Sequence, residues 1–210
     1  MTKYGFHANN LDINRLNAKR ITVEDKVPVE YVISPTIAYS TANILAAKNW
    51  SAATAAVTNT TILMQPPYPT QLLVIARAAG TAAHGDAITF VGMNAWGSTI
   101  SDSVYVSGTA AGVFYTSNAY AKITSIYPTG KKVIKSSAIC IGTRTSVIGV
   151  PYPIASSADI ISYSKGGTYA TSTPVSLTST TYRTLTVATT AAKTIKIVYK
   201  SQIQKDWKRQ

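Results

Sequence analysis

From Tyr31 onward the apolar positions fall into short runs, either continuous or alternating, with turn residues between them. Gln71–Ala76 (QLLVIA), apolar from Leu72 onward, predicts a buried strand. In Ala87–Gly92, Ile88 and Phe90 alternate with Thr89 and Val91, and in Ile100–Val106 the side chains of Ile100, Val104 and Val106 share a face. Strands are also predicted over Thr60–Met64, Ala119–Tyr127, Lys132–Ile141, Asp159–Tyr163, Val175–Leu177, Thr181–Val187 and Thr194–Tyr199. Turns are predicted at Asn94–Gly97, Gly108, Gly112, Pro128-Thr129-Gly130, Gly142, Gly166-Gly167 and Pro174. The alanines of Ala46–Ala56 predict one short helix. Many short strands with no long helical stripe predict an all-β protein, a β-sandwich or barrel-like domain.

Met1–Glu30 is of a different kind. It carries Asp12, Glu24, Asp25 and Glu30, half of the chain's 8 acids, while residues 31–85 and 103–158 contain none. Large apolar residues are sparse there, which predicts an extended N-terminal arm, with a short amphipathic helix over Leu11–Arg20. The expected organisation is an arm over residues 1–30, a central β domain over 31–154, and a C-terminal β segment over 155–210 ending in a short basic tail. The prolines of Val150-Pro151-Tyr152-Pro153 mark the second boundary; whether the last segment completes the first sheet is left open by the pattern.

Composition narrows the chemistry. Hydrophobic residues make up 46% of 210, enough for a core, and charged residues only 13%, about half the usual share. The charge is lopsided, 20 Lys+Arg against 8 Asp+Glu, for a net +12. A single cysteine, Cys140, excludes an intramolecular disulfide framework and a multi-cysteine zinc site. Only His7 and His84 supply imidazole, so a nucleophile–base pair has one candidate, His84 with Asp86, in a sequence that reads as a turn. Paired carboxylates would have to come from Asp86, Asp102 and Asp159, and Asp102 falls where a strand edge is expected. The glycine pairs lack the lysine and the strand–loop–helix setting of a phosphate cradle. The expectation is a non-enzymatic protein with no metal and no cofactor. Met1–Arg20 has no apolar stretch of the signal-peptide kind, and no run is long enough to span a membrane.

The basic residues are dispersed, with one terminal cluster, Lys205-Asp206-Trp207-Lys208-Arg209. Nucleic-acid arms concentrate charge in longer runs, so docking on acidic protein surfaces is the favoured reading and nucleic-acid binding the lesser one. The 13 Tyr and 3 Trp against 3 Phe fit protein interfaces, because tyrosine buries area and keeps a hydrogen-bonding hydroxyl. The arm residues Tyr4, Phe6, Leu11, Arg15 and Arg20, with Trp207 in the tail, are the candidate interface residues. Trp50 and Trp96 are the candidates for an aromatic platform in a glycan-binding reading.

Three blocks carry a resemblance. Asp86–Asp102 (DAITFVGMNAWGSTISD) resembles a hairpin common in tailed-bacteriophage virion structural proteins. Ala119–Ile126 (AYAKITSI) is similar to a strand that follows it there, and Ile141–Ile154 (IGTRTSVIGVPYPI) to a later segment, in the same order. The resemblance implies a virion component of the head decoration (cement) or capsid-associated β type. Its expected partners are a major capsid protein or other virion proteins and copies of itself, in a homo-oligomer located in the virion. The alternatives are a neck or tail component, a receptor- or glycan-binding head-fibre or tail protein, and a single jelly-roll major capsid protein.

Overall fold

The computed structural model describes residues 26–34, 40–49, 57–58, 62–76, 86–106, 112–129, 138–169, 175–188 and 193–202. The strands are β1 (Lys26–Ile33), β2 (Ser40–Asn49), β3 (Val57–Thr58), β4 (Thr70–Ala76), β5 (Asp86–Met93), β6 (Thr99–Val106) and β7 (Gly112–Tyr120), then β8 (Lys122–Thr129), β9 (Ala138–Gly149), β10 (Ile160–Lys165), β11 (Thr168–Tyr169), β12 (Val175–Ser179), β13 (Thr184–Val187) and β14 (Ile195–Gln202). A single 3-10 turn, Ser157–Asp159, precedes β10, and no α-helix occurs among the described residues. The protein is all-β, built of curled antiparallel sheets that include a half-barrel.

Three sheets form. One runs β1-β14-β10-β11, a second β12-β13-β9-β4-β7 with β2 also on β9, and a third β3-β8-β5-β6. The long strand β9 organises the whole. One of its edges pairs with β4; the other is shared end to end by β2, which takes Ala138 to Thr143, and β13, which takes Val147 to Gly149.

Two cores result. Ile139 and Ile141 of β9 join Leu72, Val74, Ile88, Phe90, Tyr120 and Ile123 beneath the third sheet. Ile148, together with Val150 just beyond the strand, joins Ile33, Tyr163, Leu185, Ile197 and Tyr199 beneath the first. The side chains that face core change from odd to even numbers along β9, which strict alternation forbids. A bulge resolves this: Gln71 of β4 faces Arg144 while its neighbour Thr70 faces Ile148, leaving Thr145–Val147 unopposed. At the same level on the far side of β4, Thr116–Asn118 of β7 bulge past Leu72.

Several expectations change. β1 begins at Lys26, inside the segment expected to be an arm, and pairs with β14 along its whole length. It reads poorly in sequence because it lies at a sheet edge and keeps Val27, Pro28, Glu30 and Val32 exposed. Residues 1–25, with the helix expected over Leu11–Arg20, lie outside the described residues. Ala46 and Ala47 belong to strand β2 rather than a helix, because pairing with β9 outweighs alanine's helical preference. Ile62–Pro69 is irregular rather than strand: Pro66, Pro67 and Pro69 lack donors, and Gln65 takes over by pairing its side-chain amide with Ile123 N and O at 2.7 and 3.0 Å. The strand expected over Ala119–Tyr127 is two, bent at Ala121, whose N–H donates to Met93 O. Pro128 lies within β8 opposite Ile88 rather than in a turn.

Gly142, expected in a turn, is in mid-strand. A Cβ there would stand 1.9 Å from Ser40 O, so glycine is what lets β2 cross close to β9. By contrast, the Asn94–Gly97 turn forms as expected. Asn94 Oδ1 accepts from Trp96 N and Ser98 N, and Gly97 takes φ +80°. Pro151 and Pro153 follow the end of β9, and Val150 and Ile154 beside them pack in the second core.

Candidate interaction surfaces

The acids weighed as candidates for acid–base chemistry make structural contacts where the structure describes them. Asp102 on β6 accepts at Oδ2 from Ser117 N (2.5 Å) and Asn118 N (3.0 Å), the two amides that the β7 bulge turns outward. The bulge is held from its other side too. Leu72 N donates to Thr116 Oγ1 (2.9 Å), and Gln71 Nε2 donates to Ser117 O (3.1 Å). Arg144 completes the chain, donating to Gln71 Oε1 (2.9 Å) while its guanidinium lies 4.0 Å from the ring centre of Tyr115.

Asp159 is buried beside the first sheet. Its Oδ1 meets Lys26 Nζ at 2.5 Å, and its Oδ2 accepts from Ser156 N at 3.0 Å. Burial pushes this carboxyl up. The Lys26 ammonium and the Ser156 and Ala155 amides outweigh that and hold it below the usual carboxylate range. Asp102 is therefore tied to the β7 bulge and Asp159 to the edge of the first sheet. His84 and the side chain of Asp86 lie outside the described residues. Cys140 is a buried free thiol, and no group of three metal-ligating side chains occurs among the described residues.

Trp96 has one ring face covered. The guanidinium of Arg183 lies over its ring at 4.0 Å, and Trp50 and Trp207 lie outside the described residues. Tyr4, Phe6, Leu11, Arg15 and Arg20 lie outside them as well. The surfaces that can be described were missed in sequence, because they depend on pairing register.

Most of the described tyrosines are either buried or exposed. Tyr68, Tyr120, Tyr163 and Tyr199 are buried, and burial pushes the Tyr68 and Tyr199 phenols up to about 12. Tyr105 (69% exposed), Tyr115, Tyr152, Tyr169 (63%) and Tyr182 face outward. On the outer face of the first sheet, Val32, Lys196, Ser164 and Tyr169 make one cross-strand row, and Glu30, Val198 and Ser162 the next. Lys196 Nζ bonds Glu30 Oε2 at 2.7 Å across these rows. Exposed Val32 and Tyr169 flank that ion pair, an open sheet face of mixed character.

At the end of β1 lies a hollow of about 220 Å³, lined by Tyr31, Val32, Ile33, Ser34, Pro67, Tyr68 and Pro69. It contains no charged side chain. Tyr68 is only 6% exposed, and its hydroxyl has no hydrogen-bond partner. Burial, with the Tyr199 and Tyr68 phenols nearby, pushes the Tyr31 phenol up as well.

Fold and surface together define an all-β protein whose described acids are tied into its framework and whose tyrosines are spread over sheet faces and edges. No protein-family model, curated protein or solved structure matches the chain. No helix among the described residues is long and apolar enough to cross a membrane.

Proposed function

We propose that this chain is a virion structural protein, a capsid decoration or other capsid-associated component that bridges subunits by burying β surface against them and against its own copies. The observation that supports this most directly is the outward-facing apolar set. Tyr105, Val113, Tyr115, Ile161, Tyr169 and Val32 are all exposed, and they sit on β6, β7, β10, β11 and β1. Large apolar side chains on free edges and open sheet faces suit a protein that works by contact. Asp102 and Asp159, held by backbone amides and a lysine, leave little acid–base capacity for an active site among the described residues. The resemblance of Asp86–Ile154 to phage virion proteins points the same way.

The +12 charge makes an acidic subunit surface the natural partner, since opposite potentials speed encounter and favour register. Trp96, covered on one face by Arg183, weakens the glycan-binding alternative. The test is sedimentation velocity and negative-stain microscopy on the purified full-length chain, with and without duplex DNA. Defined oligomers or closed assemblies without DNA are expected. A chain that stays monomeric at its highest soluble concentration, or that assembles only on DNA and loses it steeply with salt, overturns the proposal.

A further inference from the structure

We propose that the Arg183–Trp96 stack is a docking site for an exposed carboxylate on an acidic partner protein other than this chain. The inference rests on the contact role proposed above and names where the acidic surface is gripped.

Three segments converge on Arg183. Its carbonyl accepts from Val150 N at 2.9 Å, its guanidinium lies 4.0 Å from the Trp96 ring centre, and its Nη1 donates to Pro151 O. The Asn94–Gly97 turn is seated against the end of β9, since a Cβ on Gly149 would stand 3.8 Å from that of Ala95. Tyr152 follows Pro151 and Tyr182 precedes Arg183, and both are exposed. Exposed Lys122 lies opposite Met93, at the base of the Trp96 turn.

The guanidinium has bonding capacity to spare. It carries a planar fork of N–H donors. Among the described residues its one hydrogen bond is that to Pro151 O, long at 3.5 Å. Stacking uses a face of the plane and leaves the donors at its edge, the arrangement that takes a carboxylate bidentately. The backbone singles out the same residue. Arg183 is the one non-glycine residue with positive φ among the described residues, at +49°. That conformation is unfavourable for any residue with a Cβ, and strain of this kind gathers where a side chain must be aimed. Glycine would fill the turn without strain; the chain places arginine there.

The partner follows from charge. Glu30 is held by Lys196, Asp159 by Lys26, and Asp102 by the Ser117 and Asn118 amides, so no described carboxylate of this chain is left to lend. With 20 Lys+Arg against 8 Asp+Glu, a second copy would bring cation to cation. The carboxylate therefore comes from a different, acidic protein. A nucleic-acid backbone is the poorer match, because it is bound through many dispersed cations, whereas here a guanidinium and one lysine sit with aromatic side chains. Trp, Tyr and Arg are the residues that anchor protein interfaces.

The test titrates the full-length chain into dye-labelled, end-capped hexaglutamate and reads fluorescence anisotropy. Arg183→Gly, which relieves the backbone, should weaken binding at least about tenfold, the worth of one charge-assisted hydrogen bond. Arg183→Lys keeps the charge but loses the planar fork, and should weaken it at least about threefold. Lys200→Gln removes an equal charge from an exposed position on the first sheet. It should change binding less than about twofold. Equal losses in Arg183→Gly and Lys200→Gln, undiminished binding by Arg183→Lys, or no binding by the parent chain each overturn the inference. They leave the assembly reading to its own sedimentation test. An Arg183 dependence as large toward hexathymidylate as toward hexaglutamate overturns it in favour of phosphate. Loss of self-association in Arg183→Gly overturns it in favour of a second copy, with the assembly reading intact.

Discussion

Arg183 holds its guanidinium 4.0 Å above the indole of Trp96 while its own backbone sits in the left-handed region, at φ +49°. The two residues join hairpins from different sheets. Trp96 lies in the β5–β6 turn, and Arg183 closes the β12–β13 turn, where its N–H donates to Thr180 O and its carbonyl accepts from Val150 N. A left-handed arginine costs about 1 kcal/mol or slightly more, and the cation–π stack returns about 0.5–1 kcal/mol.

These opposed terms separate two variants. Arg183→Gly loses the stack and relieves the backbone, so its stability should stay within about 0.5 kcal/mol of the parent. Arg183→Ala loses the stack and keeps the strain, and should be less stable than the glycine variant by about 1 kcal/mol. Urea unfolding of the two proteins checks the order.

Asp102 caps the amides of Ser117 and Asn118 at the β7 bulge. Asp102→Ala should lose about 2 kcal/mol, because hydrogen bonds to a charged acceptor are worth about 1.5–3 kcal/mol. Asp102→Asn, with one acceptor oxygen left, should lose less. Hydrogen exchange should place the loss at residues 115–119, and both amides should exchange faster.

Gly142→Ala places a methyl against the backbone carbonyl of Ser40. Backbone cannot swing aside as a flexible side chain can, so the cost should be at least about 3 kcal/mol, or β2 should leave β9 altogether. Loss of amide protection along Ser40–Asn49, with β4 still protected, distinguishes displacement of one strand from global loss.

The half-buried Lys26–Asp159 pair makes a pH prediction. The Asp159 carboxyl is held below its ordinary value of 3.8, so the folded form binds this proton less readily than the unfolded chain. The stabilisation is therefore present above pH 3.8 and is lost as pH falls through the lower folded value. Asp159→Asn should flatten the acid limb of a stability–pH curve, measured by chemical denaturation at successive pH values.

Much of the framework was legible in the residues themselves. The segment Gln71–Ala76, with its apolar run Leu72–Ala76, became β4, flanked on both sides and buried on both faces. The alternations of Ala87–Gly92 and Ile100–Val106 became β5 and β6, paired residue by residue from Asp86–Val106 to Met93–Thr99. Misreadings arose where a distant chain sets the local geometry. Gly142 looks like a turn residue until β2 is seen crossing it. The alanines of β2 look helical until Leu45 and Lys48 on either side of them are seen paired with β9.

Bulges are harder still, since Thr145–Val147 follow no pattern that differs from an ordinary strand. The same reason hid the surfaces. The hollow joins β1 to the Pro67–Pro69 stretch, and the Arg183–Trp96 stack joins residues far apart in sequence. The arm and tail residues favoured at the outset lie outside the described residues.

β9 lends its first half to one core and its second half to the other, across a bulge pinned by Thr70, whose Oγ1 is within 2.9 Å of both the Arg144 and Val147 carbonyls. A load pulling the two halves of the molecule apart therefore acts as shear along one continuous strand instead of peeling one lobe from another. Many ladder bonds must fail at once before the halves can part.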